Sequence, residues 1–304
     1  MANPPERLDT GLPPPEPPDL PPDPSATWPA LRRVGTRLPL REYLAEIWRR
    51  REFAVTVPLG ELRAQNQDTV LGQLWHLVNP LMLIGIYYLI FGVILQVEAR
   101  RGVDAYLPFL IVGVIVFNYT RSSAQAGARM IVKNRKLVQS INFPRAILPI
   151  SALVSETVSY AYALPMMLIL VTLVDGGPTP MVSWLLLLPI TVLQAGFNLG
   201  ISMIVARLSF HFRDVQQFLP YLLRLYLYVS GVLIPINADL IPNDALRTIL
   251  QINPMYSIIE MARAAVLGSQ VSPFVWWAGP SWCVVILLLG FWYFRRAESE
   301  YGRV

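Results

Sequence analysis

Apolar residues gather along this chain in runs that approach the ~20 residues a helix needs to cross a bilayer. Six runs stand out by hydropathy: 77–97, 106–119, 147–174, 184–206, 219–236 and 274–294. Ahead of them the pattern turns amphipathic. Within 40–53, Leu40, Leu44 and Ile47 share one side of a helix that ends on Arg49, Arg50 and Arg51. Within 59–79, Leu59, Leu62, Val70, Leu74 and Leu77 recur at helical spacing, interrupted by Arg63, Gln65, Asn66, Gln67 and Asp68. Asp68 is placed to cap a helix restarting at Thr69. Both segments predict helices lying in the headgroup plane, apolar side down and arginines toward anionic lipid. After the fifth run, Asn253-Pro254 reads as an N-cap and first helical position, and Gly268 as a stop. The helix so bounded holds Glu260 and Arg263 and is too short to span, so it is expected to be interfacial or re-entrant on the outer face. A shorter helix is expected before it, near 239–250.

The first 30 residues contain eleven prolines and no apolar run. Such a segment buries too little surface to offset chain entropy, and it lacks the apolar stretch of a signal peptide. The expected fold is an all-α polytopic membrane protein with six transmembrane helices. Residues 1–35 form a disordered Pro-rich cytoplasmic tail, 36–76 the interfacial helices, 77–294 the transmembrane domain with short outer-face helices between spans five and six, and 295–304 a cytoplasmic C-terminal tail.

Composition agrees, with 54% hydrophobic and 15% charged residues against roughly a quarter charged in a soluble domain. The placement of charge then orients the chain. The N-terminal region, the 121–146 and 207–217 loops and the C-terminal end hold 20 of the 25 Lys+Arg. The opposite connections hold Arg100, Arg101, Arg247 and Arg263, and Arg224 lies inside the fifth run. The positive-inside rule therefore places both termini in the cytoplasm. A single cysteine, Cys283, allows no intrachain disulfide.

Candidate chemistry concentrates in the fifth run. Gln217, Tyr221, Arg224, Tyr228 and Gly231 fall on one helical face, continued by Pro235, while leucines cover the rest. An aromatic-polar stripe on an otherwise oily helix is expected to face protein or water. The 121–146 loop carries six basic residues and no acid, with Met130, Leu137 and Ile141 at helical spacing. It reads either as a positive-inside loop or as a short helix offered to a soluble partner. His76 and His211 have no ligand-type neighbours, so no metal site is expected. The only lysines are Lys133 and Lys136, and no G-x-x-x-x-G-K-[ST] phosphate loop exists. The chain is not expected to be an enzyme, to bind a cofactor of its own or to bind nucleic acid. Glu156 is the one obvious acid for ion coupling, and its position also lets it reach an interface. Energy for active transport is therefore expected from another subunit.

Four strings carry a resemblance: DTVLGQLWHLVNPL (68–81), KNRKLVQSINFPRAILPIS (133–151), FRDVQQFLPYLLRLYLYVSGVLIPI (212–236) and INPMYSIIEMARAAVLG (252–268). In this order they resemble the polysaccharide-exporting branch of the type-2 ABC transporter permeases, over roughly residues 40–296. The resemblance implies a homodimer in a bacterial plasma membrane, mounted on two ATPase subunits that bind ATP and Mg. It implies a gate helix carrying Arg63, Leu71 and Trp75, and a coupling helix carrying Met130, Lys133, Arg135 and Leu137. The passenger it implies is a polyprenyl-diphosphate-linked glycan such as an O-antigen or cell-wall galactan. Aromatic faces suit a sliding glycan, so Tyr87, Tyr88, Phe91, Tyr221 and Tyr228 are the candidate channel lining, with Gln217 and Arg224. Arg224 either snorkels to the headgroups or meets the diphosphate. Two rivals remain: an exporter of a drug or small lipid, and a membrane enzyme acting on lipid-linked sugars. The enzyme would need a juxtamembrane acid cluster, which the sequence lacks.

Overall fold

The computed structural model describes residues 39–52, 54–56, 58, 60, 72–97, 105–134, 143–175, 182–236, 241–298 and 300–301, all within the unit Arg37–Val304. Among these residues the regular elements are helices, with no strand. The expected tail, the stretch with Arg63 and Leu71, and the segment with Arg135 and Leu137 lie outside the described residues.

Among the described residues nine α-helices follow in order: α1 Leu40–Arg49, α2 Trp75–Tyr87, α3 Tyr106–Lys133, α4 Ile147–Asp175, α5 Leu187–His211, α6 Val215–Val229, α7 Asp244–Ile252, α8 Pro254–Leu267 and α9 Pro273–Arg296. Helix α2 runs on as a π-helical stretch, Tyr88–Ile94. Among the described residues five helical stretches are long and apolar enough to cross a membrane: Leu77–Ile94, Tyr106–Lys133, Ile147–Val174, Ser183–His211 and Pro273–Arg296. The expected helix over 219–236 is the exception. Helix α6 stops at Val229, where the Ser230 hydroxyl donates to the Tyr226 carbonyl at 2.6 Å and Gly231 takes a left-handed φ of 68°. At ~1.5 Å per residue α6 is about 22 Å long, short of the ~30 Å hydrocarbon core. The chain beyond it, Val232 and Leu233 included, is buried without being helical. Irregular backbone at membrane depth is tolerated where protein encloses it. Gly231 and Pro235 therefore do not extend the α6 stripe.

Helix α3 is the centre. Leu110 through Phe117 are buried without interruption, and α4, α5, α6 and α8 all pack on it. It outruns its hydropathy-based end at 119 because Ser123, Ala124, Gly127 and Ala128 give it a small-residue face. Ser202 of α5 fills the space beside Gly127, where a Cβ would come within 2.7 Å of it. Hydroxyls and amides join the two helices. Thr120 Oγ1 donates to Asn198 Oδ1 at 2.7 Å, Gln194 Nε2 to the Val116 carbonyl at 2.8 Å, and Ser202 Oγ to the Ser123 carbonyl at 2.9 Å. Between two membrane helices, where burial of apolar surface gives little drive, such contacts supply the adhesion.

Helix α1 lies against the body by Tyr43 and Ile47, which pack with Phe294 and Tyr301. Ile47 is thus on the packed side, while Leu40, Leu44 and Trp48 form an exposed stripe suited to a lipid interface. The Tyr43 hydroxyl accepts from the Ala146 amide at 3.3 Å and hydrogen-bonds Glu298. Glu298 also accepts from the Arg145 amide at 3.1 Å. Helix α1, the Phe143–Arg145 turn and the C-terminal end thus meet at one carboxylate. Burial, more than its hydrogen bonds can offset, holds the Glu298 carboxyl above its ordinary 4.5. The folded state therefore keeps this proton more tightly than the unfolded one. Its contribution to stability is full below pH 4.5 and is lost as pH rises through the raised value. Glu298→Gln should unfold at the native temperature in acid and above it at pH 8. Equal midpoints at both pH values would show the carboxylate's charge to be harmless where it sits.

Helix α8 starts and stops where the sequence places it, while α7, expected near 239–250, runs from Asp244 to Ile252. The Asn243 side chain caps α7 through the Leu246 amide at 3.1 Å, and Asn253 caps α8 through the Met255 amide at 3.0 Å. Gly268 closes α8 at φ 66°. Met255, Ile258, Ile259, Met261 and Ala262 are buried, and α3, α5 and α9 pack around the helix. The helix is thus enclosed by the body of the protein and not laid on its surface.

Candidate functional site

Helix α6 is one-sided. Leu219, Leu223 and Leu227 are buried against the body, because their spacing of four sets them on one face. Tyr221, at 69% exposure, and Tyr228, at 53%, stand on the other with Gln217 and Arg224. The polar stripe thus turns away from this chain's own core.

Two contacts fix the register of α6 on α3. Gln216 Nε2 donates to the Ala128 carbonyl at 3.1 Å, and the Phe117 and Tyr226 rings sit 5.9 Å apart. Between them Ala124 and Ala128 pack on Leu219 and Leu223, so the helices run antiparallel. Arg121 lies four residues from Phe117 and Arg224 two from Tyr226, which sets them about 3 Å apart in level along the shared axis. Arg121, Arg224 and Tyr228 all lie within electrostatic reach of the Tyr87 phenol. The structure therefore brings together three of the candidate lining residues, Tyr87, Arg224 and Tyr228, and adds Arg121. Hydropathy reading had put Arg121 just past a span, in a loop. An arginine deep on a membrane helix costs about 2.5–3.5 kcal/mol, which sets a premium on company for both.

The other candidates are placed differently. Tyr88 and Phe91 are half-buried against the core. Trp75 is half-buried at the start of α2, and Lys133 is exposed at the end of α3. Met130 requires a correction. It is only 8% exposed, packed in the cluster that holds Phe143, Ile147 and Tyr43, because α3 continues through it as a helix. Aspartate there would probe packing of this chain and not an exposed docking face.

A second feature escaped sequence reasoning. Arg263, counted there as an outer-loop charge, is 1% exposed. Its guanidinium donates to the carbonyls of Gly231 at 3.0 Å, Val232 at 3.2 Å and Phe109 at 3.3 Å, and pairs with Glu260 at 2.7 Å. It also lies 3.4 Å from the centroid of the Phe109 ring. At the other end of the break, Asn253 accepts from the Tyr226 hydroxyl at 2.8 Å and donates to the Val229 carbonyl at 3.2 Å. Helix α8 thus supplies the donors for the backbone that α6 leaves unpaired. Glu260 three residues before Arg263 was the available signal, an i,i+3 pair on one face.

The model of the ABC-2 type transporter family matches residues 59–267, the stretch from the approach to α2 through the end of α8. This chain belongs to the ABC-2 type transporter family. It is similar to the O-antigen export system permease protein RfbA of Myxococcus xanthus, 30% identical over 222 residues, covering 72% of this chain and 82% of that protein. The RfbA of Klebsiella pneumoniae is 25% identical over 83% of this chain and 95% of its own. The polysialic acid transport protein KpsM of Escherichia coli is 27% identical over 70% of this chain and 81% of its own. The ABC-2 match spans both unusual features, the one-sided α6 and the Arg263 grip on its end, and stops before α9.

Proposed function

We propose that this chain is the membrane subunit of an exporter that carries a polyprenyl-diphosphate-linked polysaccharide across a bacterial plasma membrane. A second copy completes the path, and two separate ATPase subunits, with ATP and Mg, drive it. The observation that carries the reading is the outward-turned stripe of Tyr221, Arg224 and Tyr228, seen in a chain whose named relatives export glycans. A stripe that polar is poorly placed against lipid, and a facing copy would turn it into the wall of a conduit. Both termini then lie on the cytoplasmic side with α1, whose Leu40, Leu44 and Trp48 rest on the headgroups. To Lys133, Arg135 and Leu137 we assign the docking of the ATPase, and to Arg63, Leu71 and Trp75 the entry of the glycan, on the strength of the sequence resemblance.

Depletion of this chain in its own cells is the test. Surface glycan should disappear while lipid-linked glycan accumulates inside, and the purified chain should hydrolyse ATP only with its partner, having no phosphate loop. Undiminished surface glycan together with new drug sensitivity would replace the reading with a drug exporter.

A further inference from the structure

Arg121 and Arg224 stand at nearly the same level of the α3–α6 pair, within about 3 Å along the axis, and both act electrostatically on the Tyr87 phenol, as Tyr228 does. Neither has an ion-pair or hydrogen-bond partner among the described residues. The ion pairs formed there use Glu46, Asp244, Glu260 and Glu300, none of them on α2, α3 or α6. On the neighbouring α4, Glu156 answers Ser122 and Arg129 instead, and Asp175 lies at the far end of the helix. Two cations at one level of a packed helix pair repel, and away from bulk water the repulsion is weakly screened. Among the described residues no carboxylate pairs with either arginine, which leaves both forks free to take an anion brought by a ligand.

We propose that Arg121 and Arg224 form a two-arginine clamp for the diphosphate of a polyprenyl lipid, with the Tyr87 and Tyr228 hydroxyls as flanking donors. Two phosphoryl groups in series present oxygens to two separate forks at once, and each guanidinium fork fits one group. A lone phosphomonoester fills one fork and leaves the second charge unanswered. Arg121 is half-buried and Arg224 exposed, so the clamp is open on the same side as the α6 stripe. In the export reading that side is the wall of the conduit, where the diphosphate of a passing lipid would meet it. An ordinary phospholipid headgroup shares the phosphate chemistry but offers a single phosphoryl group.

The inference rests on the export reading, and a probe without sugar separates the two. The full chain in phosphatidylcholine nanodiscs is titrated with geranylgeranyl diphosphate, geranylgeranyl monophosphate and phosphatidylglycerol. The diphosphate should bind at least ~10-fold more tightly than the monophosphate, and Arg121→Lys and Arg224→Lys should each weaken it about 10-fold, since an ammonium has no fork. Arg247→Lys, on the distant α7, should leave the affinity unchanged. Lysine keeps the charge and the long stem, so both clamp variants should remain folded, with a monodisperse elution profile as the check. Native diphosphate affinity in Arg121→Lys would overturn the clamp. Displacement of the diphosphate by an equal concentration of phosphatidylglycerol would also overturn it and make the pair a phospholipid site. If the chain binds no diphosphate but its depletion still removes surface glycan, the clamp falls and the export function stands. If it binds diphosphate while surface glycan survives depletion, the function falls and the clamp stands.

Discussion

Arg263→Ala should lower the stability of the purified protein by about 3–5 kcal/mol, the usual cost of removing one partner from a buried ion pair. The loss has two parts. Glu260, with 18% of its side chain exposed, keeps a charge with no counter-charge beside it. The carbonyls of Gly231, Val232 and Phe109 lose their donor in a site that water reaches poorly. Substitution partners apportion these. Glu260→Gln leaves the three carbonyls served and should cost less than half as much. The double variant Arg263→Ala, Glu260→Ala should recover part of the loss, because it removes the stranded charge. Arg263→Lys should resemble alanine more than arginine, as one ammonium cannot reach acceptors on α3 and beyond α6 together. Gly113→Ala approaches the same site from behind, since its Cβ would come within 2.7 Å of the Arg263 Nη2. Thermal unfolding in detergent is the measurement. A native midpoint in Arg263→Ala would mean that the broken end of α6 stands without help from α8.

The sequence disclosed its helices unevenly, for physical reasons. Ends that rest on local chemistry were legible: Asn253, Pro254 and Gly268 act through their own backbone and mark α8 to the residue. Ends set by packing were not. Helix α3 passes Arg121 and runs to Lys133, because its small-residue face is buried by α5, and no hydropathy window registers that. Helix α6 fails the other way. Its apolar run continues to residue 236, but Gly231 turns left-handed and the following residues are buried by α8, a helix that comes later in the chain. Apolar composition reports burial, not whether the buried backbone is helical.

The site divides along the same line. The α6 stripe was legible because periodicity alone assigns Gln217, Tyr221, Arg224 and Tyr228 to one face, and the structure exposes that face. The shared level of Arg224 and Arg121 was not, since it depends on the register of two helices separated by two others in sequence. Met130 shows the opposite error. Helical spacing identified it as part of an apolar face, and it is one, but the face is buried within this chain. Spacing tells which residues share a side and never what covers that side.

Gly200→Ala and Gly290→Ala should each destabilise the protein by about 1–3 kcal/mol, the range for overpacking, and Gly200→Leu by more. Helices α5 and α9 cross at these two glycines. A Cβ on Gly200 would lie 2.3 Å from the Ile286 carbonyl oxygen, and one on Gly290 would lie 2.3 Å from that of Gly200. Both obstacles are backbone, so no side chain can swing aside and the helix axes must part. Two other glycines of the same pair of helices calibrate the effect. At Gly279 the obstacle is the Met261 methyl at 2.5 Å, the free end of a flexible chain, so alanine there should be mild. At Gly196 the nearest atom is Leu287 Cδ2 at 3.7 Å, an ordinary contact. Alanine at Gly196 should therefore be neutral or gain up to ~1 kcal/mol from helix propensity. Comparable losses at all four would indicate a general intolerance of these helices to side chains and not a close crossing. The consequence reaches past the crossing, because α9 carries Phe294 and, just beyond it, Glu298, the carboxylate that joins α1 to the Phe143–Arg145 turn. If the crossing opens, that junction should loosen with it. Gly200→Ala and Gly290→Ala should therefore weaken hydrogen-exchange protection at the Arg145 and Ala146 amides, which the junction holds, while Gly196→Ala leaves it intact.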